Sequence, residues 1–145
     1  MEKTIDFNQV PFEWTLCYVS ECSRKDECLR YQVCQQAPES LTKNPCVLPT
    51  VLNKDTCPHF MPVRIVHAAY GLVHIFDDVK AKHQAKMRAA VSAHLGGGGS
   101  YYRYRNGKLP LMPEQQEWIR KLFRRYGYTD EVEFDQYKDI YRFTG

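Results

Sequence analysis

Six cysteines, Cys17, Cys22, Cys28, Cys34, Cys46 and Cys57, stand in the first 57 of 145 residues, and the remaining 88 contain none. Thiols that merely fill a core scatter through a chain, so the clustering points to a task shared by the segment that carries them. Three tasks compete. Disulfides could staple the segment, but the opening MEKTIDFNQVPFEW has no apolar stretch after its early lysine and hence no export signal. A cytoplasmic location is expected, and a reducing cytosol disfavours disulfides. Inert buried thiols are the second reading. Metal ligation is the third and the preferred one, because thiolates bind zinc or iron strongly and stabilise a lobe too small to make its own core.

The spacing is only moderately diagnostic, since no CxxC knuckle is present. Cys17-x4-Cys22-x5-Cys28 is followed, after a loop punctuated by Pro38, Pro45 and Pro49, by Cys57-Pro58-His59-Phe60. A helix is expected to open at Ser23, which caps the amide of Asp26, and to run on through Tyr31. It would place Cys22 at its mouth and Cys28 in its second turn, where the helix dipole favours thiolate. Cys57 returns from the far end of the loop. The expected metal ligands are therefore Cys17, Cys22, Cys28 and Cys57, closing a tetrahedral structural zinc site. A 4Fe–4S cluster takes the same four thiolates and stays open as the alternative. Cys34 and Cys46 are the expected spares. His59 could replace one ligand, although a lone histidine beside proline is more often a surface residue.

Charge is distributed unevenly. Residues 1–79 carry seven Lys and Arg against ten Asp and Glu, residues 80–128 carry eleven against two, and residues 129–145 carry two against five, which gives −3, +9 and −3. A basic block bounded by acidic segments points to a polyanionic partner. Within and before this block the apolar pattern is helical. Ile65, Val66, Ala69, Leu72, Val73 and Phe76 recur at helical spacing, and Met87, Val91 and Leu95 form a stripe on a helix over Ala81–Leu95. Gly96–Gly99 ends that helix. After the turn signal Asn106-Gly107, Pro113 opens a further helix with Trp118, Ile119, Leu122, Phe123 and Tyr126 on its buried face. The acidic-aromatic segment Val132–Phe143 is expected to pack back on the body.

Two helices separated by a glycine turn, the second rich in Tyr and Arg, are how a helix-turn-helix presents itself in sequence. Arg103, Arg105 and Lys108, assisted by Arg124 and Arg125, are the expected phosphate or base contacts, and Tyr101 and Tyr102 can stack or hydrogen-bond. Duplex DNA is the expected ligand. Single-stranded RNA, with Tyr101, Tyr102 and Tyr104 stacking on bases, and an acidic protein partner are the alternatives. No catalytic constellation is visible. His67 and His74 lack an HExxH context, the glycine run lacks the Gly-Lys-Ser/Thr of a P-loop, and Asp77-Asp78 suits a helix cap. No apolar run approaches a membrane span.

The run LGGGGSYYRYRNGKLPLMPEQQEWIRKLF resembles the helix-turn-helix region of small repressor-type regulators of bacteria and phage. Leu95-Gly96, Tyr101–Arg103, Gly107-Lys108 and Pro110 carry the likeness, and the four-glycine turn departs from it. Along its whole length the chain resembles an uncharacterised domain-of-unknown-function family of small proteins from gut anaerobic bacteria. The residues concerned are Cys17, Cys22, Cys28-Leu29-Arg30-Tyr31, Cys57-Pro58, Phe60, and the Tyr-Tyr-Arg-Tyr-Arg and Pro-Glu-Gln-Gln-Glu-Trp-Ile-Arg stretches. That resemblance implies four retained cysteines, at Cys17, Cys22, Cys28 and Cys57, and no activity. The expected fold is mainly α: a Cys-rich metal-binding lobe over residues 1–60 packed on a helical, helix-turn-helix-like domain over 61–145. The expected function is a non-enzymatic, nucleic-acid-binding regulatory or accessory role, with an acidic-protein interaction module or an iron–sulfur redox sensor as alternatives.

Overall fold

Cys28 decides the local structure of the N-terminal segment. In this computed structural model, which describes residues 5–144, Cys28 is extended (φ −102°, ψ 120°) and forms an antiparallel bridge with Pro62. An extended residue interrupts any helix that reaches it. The helix expected from Ser23 through Tyr31 is therefore split. Lys25–Glu27 makes a 3-10 turn, and helix α1 (Leu29–Gln35) begins after the bridge, with Cys28 as its N-cap. Leu29, Val33 and Cys34 of α1 are buried with Ile5, Leu16 and Tyr141 in one apolar cluster. Two short strands, β1 (Leu16–Cys17) and β2 (Cys46–Val47), pair in parallel with Cys17 opposite Val47.

The stretch Val63–Phe76 is not the helix its apolar spacing suggests. It forms strand β3 (Ile65–Tyr70) followed by turns. Ile65 and Val66 are β-branched and suit a pleated surface, and Gly71, at φ +86°, breaks the run in a conformation that side chains disfavour. Its partner is β4 (Gln136–Tyr141), supplied by the acidic-aromatic segment. The pair is antiparallel: the Asp135 amide donates to the Gly71 carbonyl at 3.0 Å, and His67 meets Asp139 farther along.

Three helices follow β3: α2 (Ala81–His94), α3 (Gly98–Arg105) and α4 (Pro113–Arg125). The glycine run is divided in its use. Gly96 and Gly97, both at φ +99°, make the turn, whereas Gly98 and Gly99 enter the first turn of α3. Pro113 starts α4, and the Met112 amide donates to Gln115 Oε1 at 2.8 Å, satisfying a donor the helix itself cannot. Met87, Val91 and Leu95 are buried in one cluster with Tyr101, Ile119, Leu122 and Phe123. Trp118, expected in that buried set, is only partly buried. It lies at the margin of the face, its ring stacked 3.8 Å from that of His94.

Two units result. One runs to Ile65 and resumes at Tyr141; the other is Val66–Ile140. Relative to the expected division at residues 60 and 61, the boundary lies within β3, and the end of the acidic-aromatic segment belongs with the first unit. Among the described residues there are four α-helices and two two-stranded sheets. The fold is therefore mixed α/β, which corrects the mainly α expectation. Strands of two residues are too short for an alternating pattern to register.

Candidate metal centre and nucleic-acid interface

Cys17, Cys22, Cys28 and Cys57 line one cleft of about 40 Å³ in the first unit, walled by Val19, Tyr31, Val47, Val51 and Phe60 and bordered by Arg24, Lys25, Arg30 and His59. The local folding that brings them there is explicit. Cys17 ends β1, and its sulfur accepts the Val19 amide at 3.5 Å. The Cys22 amide turns back onto the Val19 carbonyl at 3.2 Å. Cys28 is fixed by its bridge to Pro62, flanked by bonds from the Leu29 amide to Met61 O (2.7 Å) and from the Val63 amide to Glu27 O (3.3 Å). A turn from the Phe60 amide to Cys57 O closes the last ligand segment. Arg30 ties the segments together, donating from Nε to His59 O at 2.7 Å and from Nη1 to Thr15 O at 2.8 Å. The Arg24 guanidinium lies 3.6 Å over the Phe60 ring.

The four thiols share one electrostatic neighbourhood. Burial pushes the Cys17 thiol up from its ordinary pKa, the Val19 amide pulls it down, and Cys28, Cys22 and Cys57 raise it further. The sulfurs nevertheless do not converge on a point. Among the described residues, no three His, Cys, Asp or Glu side chains are gathered so as to grip a single ion. All six cysteines are free thiols. Cys34 and Cys46 do not line the cleft. Cys34, on α1, lies in the core, and burial raises its pKa against a hydrogen bond from Tyr18. Cys46 is exposed, its thiol 3.4 Å from Asn44 O.

The expected nucleic-acid contacts lie in the second unit but do not form one face. Tyr101 is 4% exposed and belongs to the core, which removes it as a ligand contact. Tyr102 is 57% exposed. Arg105 donates to Asn106 Oδ1 at 3.2 Å and lines a groove of about 470 Å³ with Arg88, Gln84, Tyr102 and Phe76. Arg103 and Lys108 are exposed. Residues two apart on a helix are rotated by about 200°, so Arg103 and Arg105 point to different sides of α3. Arg124 pairs with Glu117 at 3.1 Å, and Arg124 and Arg125 line a separate shallow depression with Trp118 and Lys121. The acidic segment takes a different cation: Glu131 pairs with Arg120 at 3.0 Å.

Two structural roles escaped the sequence reading. Arg30 gave no signal, because its acceptors are backbone carbonyls of residues distant in sequence. Gln116 is 4% exposed and donates to both His67 O of β3 and Leu111 O ahead of α4 at 2.9 Å, a buried amide satisfied by backbone carbonyls. His67 and His74, expected seven apart on one helix, are separated by the end of β3. His67 pairs with Asp139 at 2.9 Å and stacks on Tyr137, and His74 pairs with Asp77 at 3.0 Å.

Among the described residues, no helix is long and apolar enough to cross a membrane. No curated protein and no solved structure matches the chain. A family model does, over residues 1–143, and the chain accordingly belongs to the family of unknown function DUF6078.

Proposed function

We propose that the protein binds nucleic acid, duplex DNA first, as a cytoplasmic regulatory or accessory factor, and that a metal centre on Cys17, Cys22, Cys28 and Cys57 holds its N-terminal unit. The observation that carries the nucleic-acid reading is the α2–turn–α3 pair. Leu95–Gly97 joins the two helices, Tyr101 anchors α3 in the core, and Tyr102, Arg103 and Lys108 are left on its exposed surface and at its end. Two helices joined by a three- or four-residue glycine-containing turn are the architecture of a helix-turn-helix, and its second helix is the one that enters the major groove. Glu131 of the acidic segment pairs with Arg120 of α4, and not with Arg103 or Lys108. The reading assigns no reaction.

The test is a titration of the full chain against a labelled duplex and a labelled single strand at two salt concentrations. Each phosphate contact releases counterions and contributes about −0.9 to the slope of log affinity against log salt on duplex DNA. Three or four contacts predict a slope of roughly −3. A preference for the single strand would move the reading to RNA. Salt-insensitive or absent binding to both would replace it with an acidic-protein partner.

A further inference from the structure

We infer that the groove between α2 and α3 binds a nucleoside phosphate, an assignment independent of the nucleic-acid reading. The groove is lined wholly from the unit Val66–Ile140. Its volume of about 470 Å³ falls in the range of roughly 300–1,000 Å³ typical of small-ligand pockets. Arg88 enters it from α2 and Arg105 from the end of α3. Two guanidiniums that face one space repel each other, and an anion between them relieves the repulsion. Among the described residues, no carboxylate pairs with Arg88 or Arg105. Asp77 also lines the groove, but its carboxylate pairs with His74 Nδ1 at 3.0 Å.

Guanidinium donors form a planar fork that matches phosphate oxygens. Arg105 spends one of its donors on Asn106 Oδ1. The Arg88 guanidinium lies 5.4 Å over the Phe76 ring, a contact that holds the cation at the groove wall without using its N–H groups. The other lining residues suit the rest of the ligand. Tyr102 is exposed, and its ring is braced by buried Tyr101, with centroids 5.4 Å apart in an edge-on arrangement. Such a ring is a platform for a base, whatever the base's identity. Gln84 commits its amide nitrogen to Phe76 O at 3.4 Å and Val79 O at 2.9 Å. Its carbonyl oxygen is therefore the end that can accept from a ribose hydroxyl or a ring amino group. A bare phosphate would use the arginines alone; a nucleoside phosphate uses the cations, the aromatic ring and the acceptor together.

The test is a calorimetric titration of the full chain with ADP, and with adenosine and pyrophosphate as its two halves. ADP should bind in a ratio of about one per chain. Adenosine, which lacks the charged contacts, should bind about a hundredfold more weakly, and pyrophosphate, which lacks the stacked base, about tenfold more weakly. Arg88→Ala, on the exposed surface of α2, should keep the wild-type melting temperature and weaken ADP by about ten- to a hundredfold. Arg103→Ala combined with Lys108→Ala should leave ADP affinity unchanged. A chain that binds ADP in this pattern but binds neither duplex nor single strand would sustain the groove and sink only the nucleic-acid reading. Failure to bind ADP or the guanosine, cytidine and uridine diphosphates at millimolar concentration would overturn the inference. So would pyrophosphate binding as tightly as ADP, or ADP affinity that survives Arg88→Ala and is lost with Arg103 and Lys108.

Discussion

At Gly71 a β-carbon would lie 2.6 Å from Asp135 Oδ2, and the backbone sits at φ +86°. The same carboxylate accepts the Val73 amide at 3.2 Å, so withdrawing Asp135 gives up that bond. Gly71→Ala therefore combines a left-handed conformation that alanine resists with a clash against a held side chain. It should destabilise the second unit by about 1–3 kcal/mol, read as a lower urea midpoint with unchanged slope. Cys34 and Cys28 show what residue identity alone conveys. Both are buried cysteines, and only the fold separates the one that faces the cleft from the one that α1 turns into the core. The choice of Cys17, Cys22, Cys28 and Cys57 followed from spacing and resemblance, whereas the backbone bonds of Arg30 that staple their segments had no counterpart in the sequence.

Among the elements, α2 and α4 were legible because each carries local information. The Met87, Val91, Leu95 stripe and the Pro113 start need no distant partner to be read. β3 was not legible, since apolar residues at 65, 66, 69 and 72 satisfy a helical period and its partner β4 lies about sixty-five residues downstream. The helix expected at Ser23 failed for a related reason: Pro62, thirty-four residues beyond Cys28, pairs with it and holds it extended. α3 carries the functional prediction. Because Arg105 is held by Asn106 and faces the groove with Arg88, it should contribute less to DNA than its exposed neighbours. Arg103→Ala combined with Lys108→Ala should flatten the salt slope by about two units, and Arg105→Ala by less than one. Equal effects from both variants would show that the groove, and not the exposed side of α3, meets the phosphates.

At the scale of the molecule, the basic block is a local feature. The unit Val66–Ile140 contains twelve Lys and Arg against nine Asp and Glu, because it also carries most of the acidic segment. Its net +3 argues for a patch acting at short range rather than a field that steers from afar. The proposed metal centre would complete the first unit, whose apolar clusters are small and whose six cysteines are free thiols. The most direct measurement of that claim is a timed thiol-alkylation footprint of the native chain, read by mass spectrometry before and after removal of bound metal. Cys46, which is exposed, should label at once in both states, whereas Cys17, Cys22, Cys28 and Cys57 should stay protected together and become reactive together once the metal is stripped. Half-buried Cys22 and Cys57 labelling independently of each other, at rates unchanged by metal removal, would contradict a shared centre.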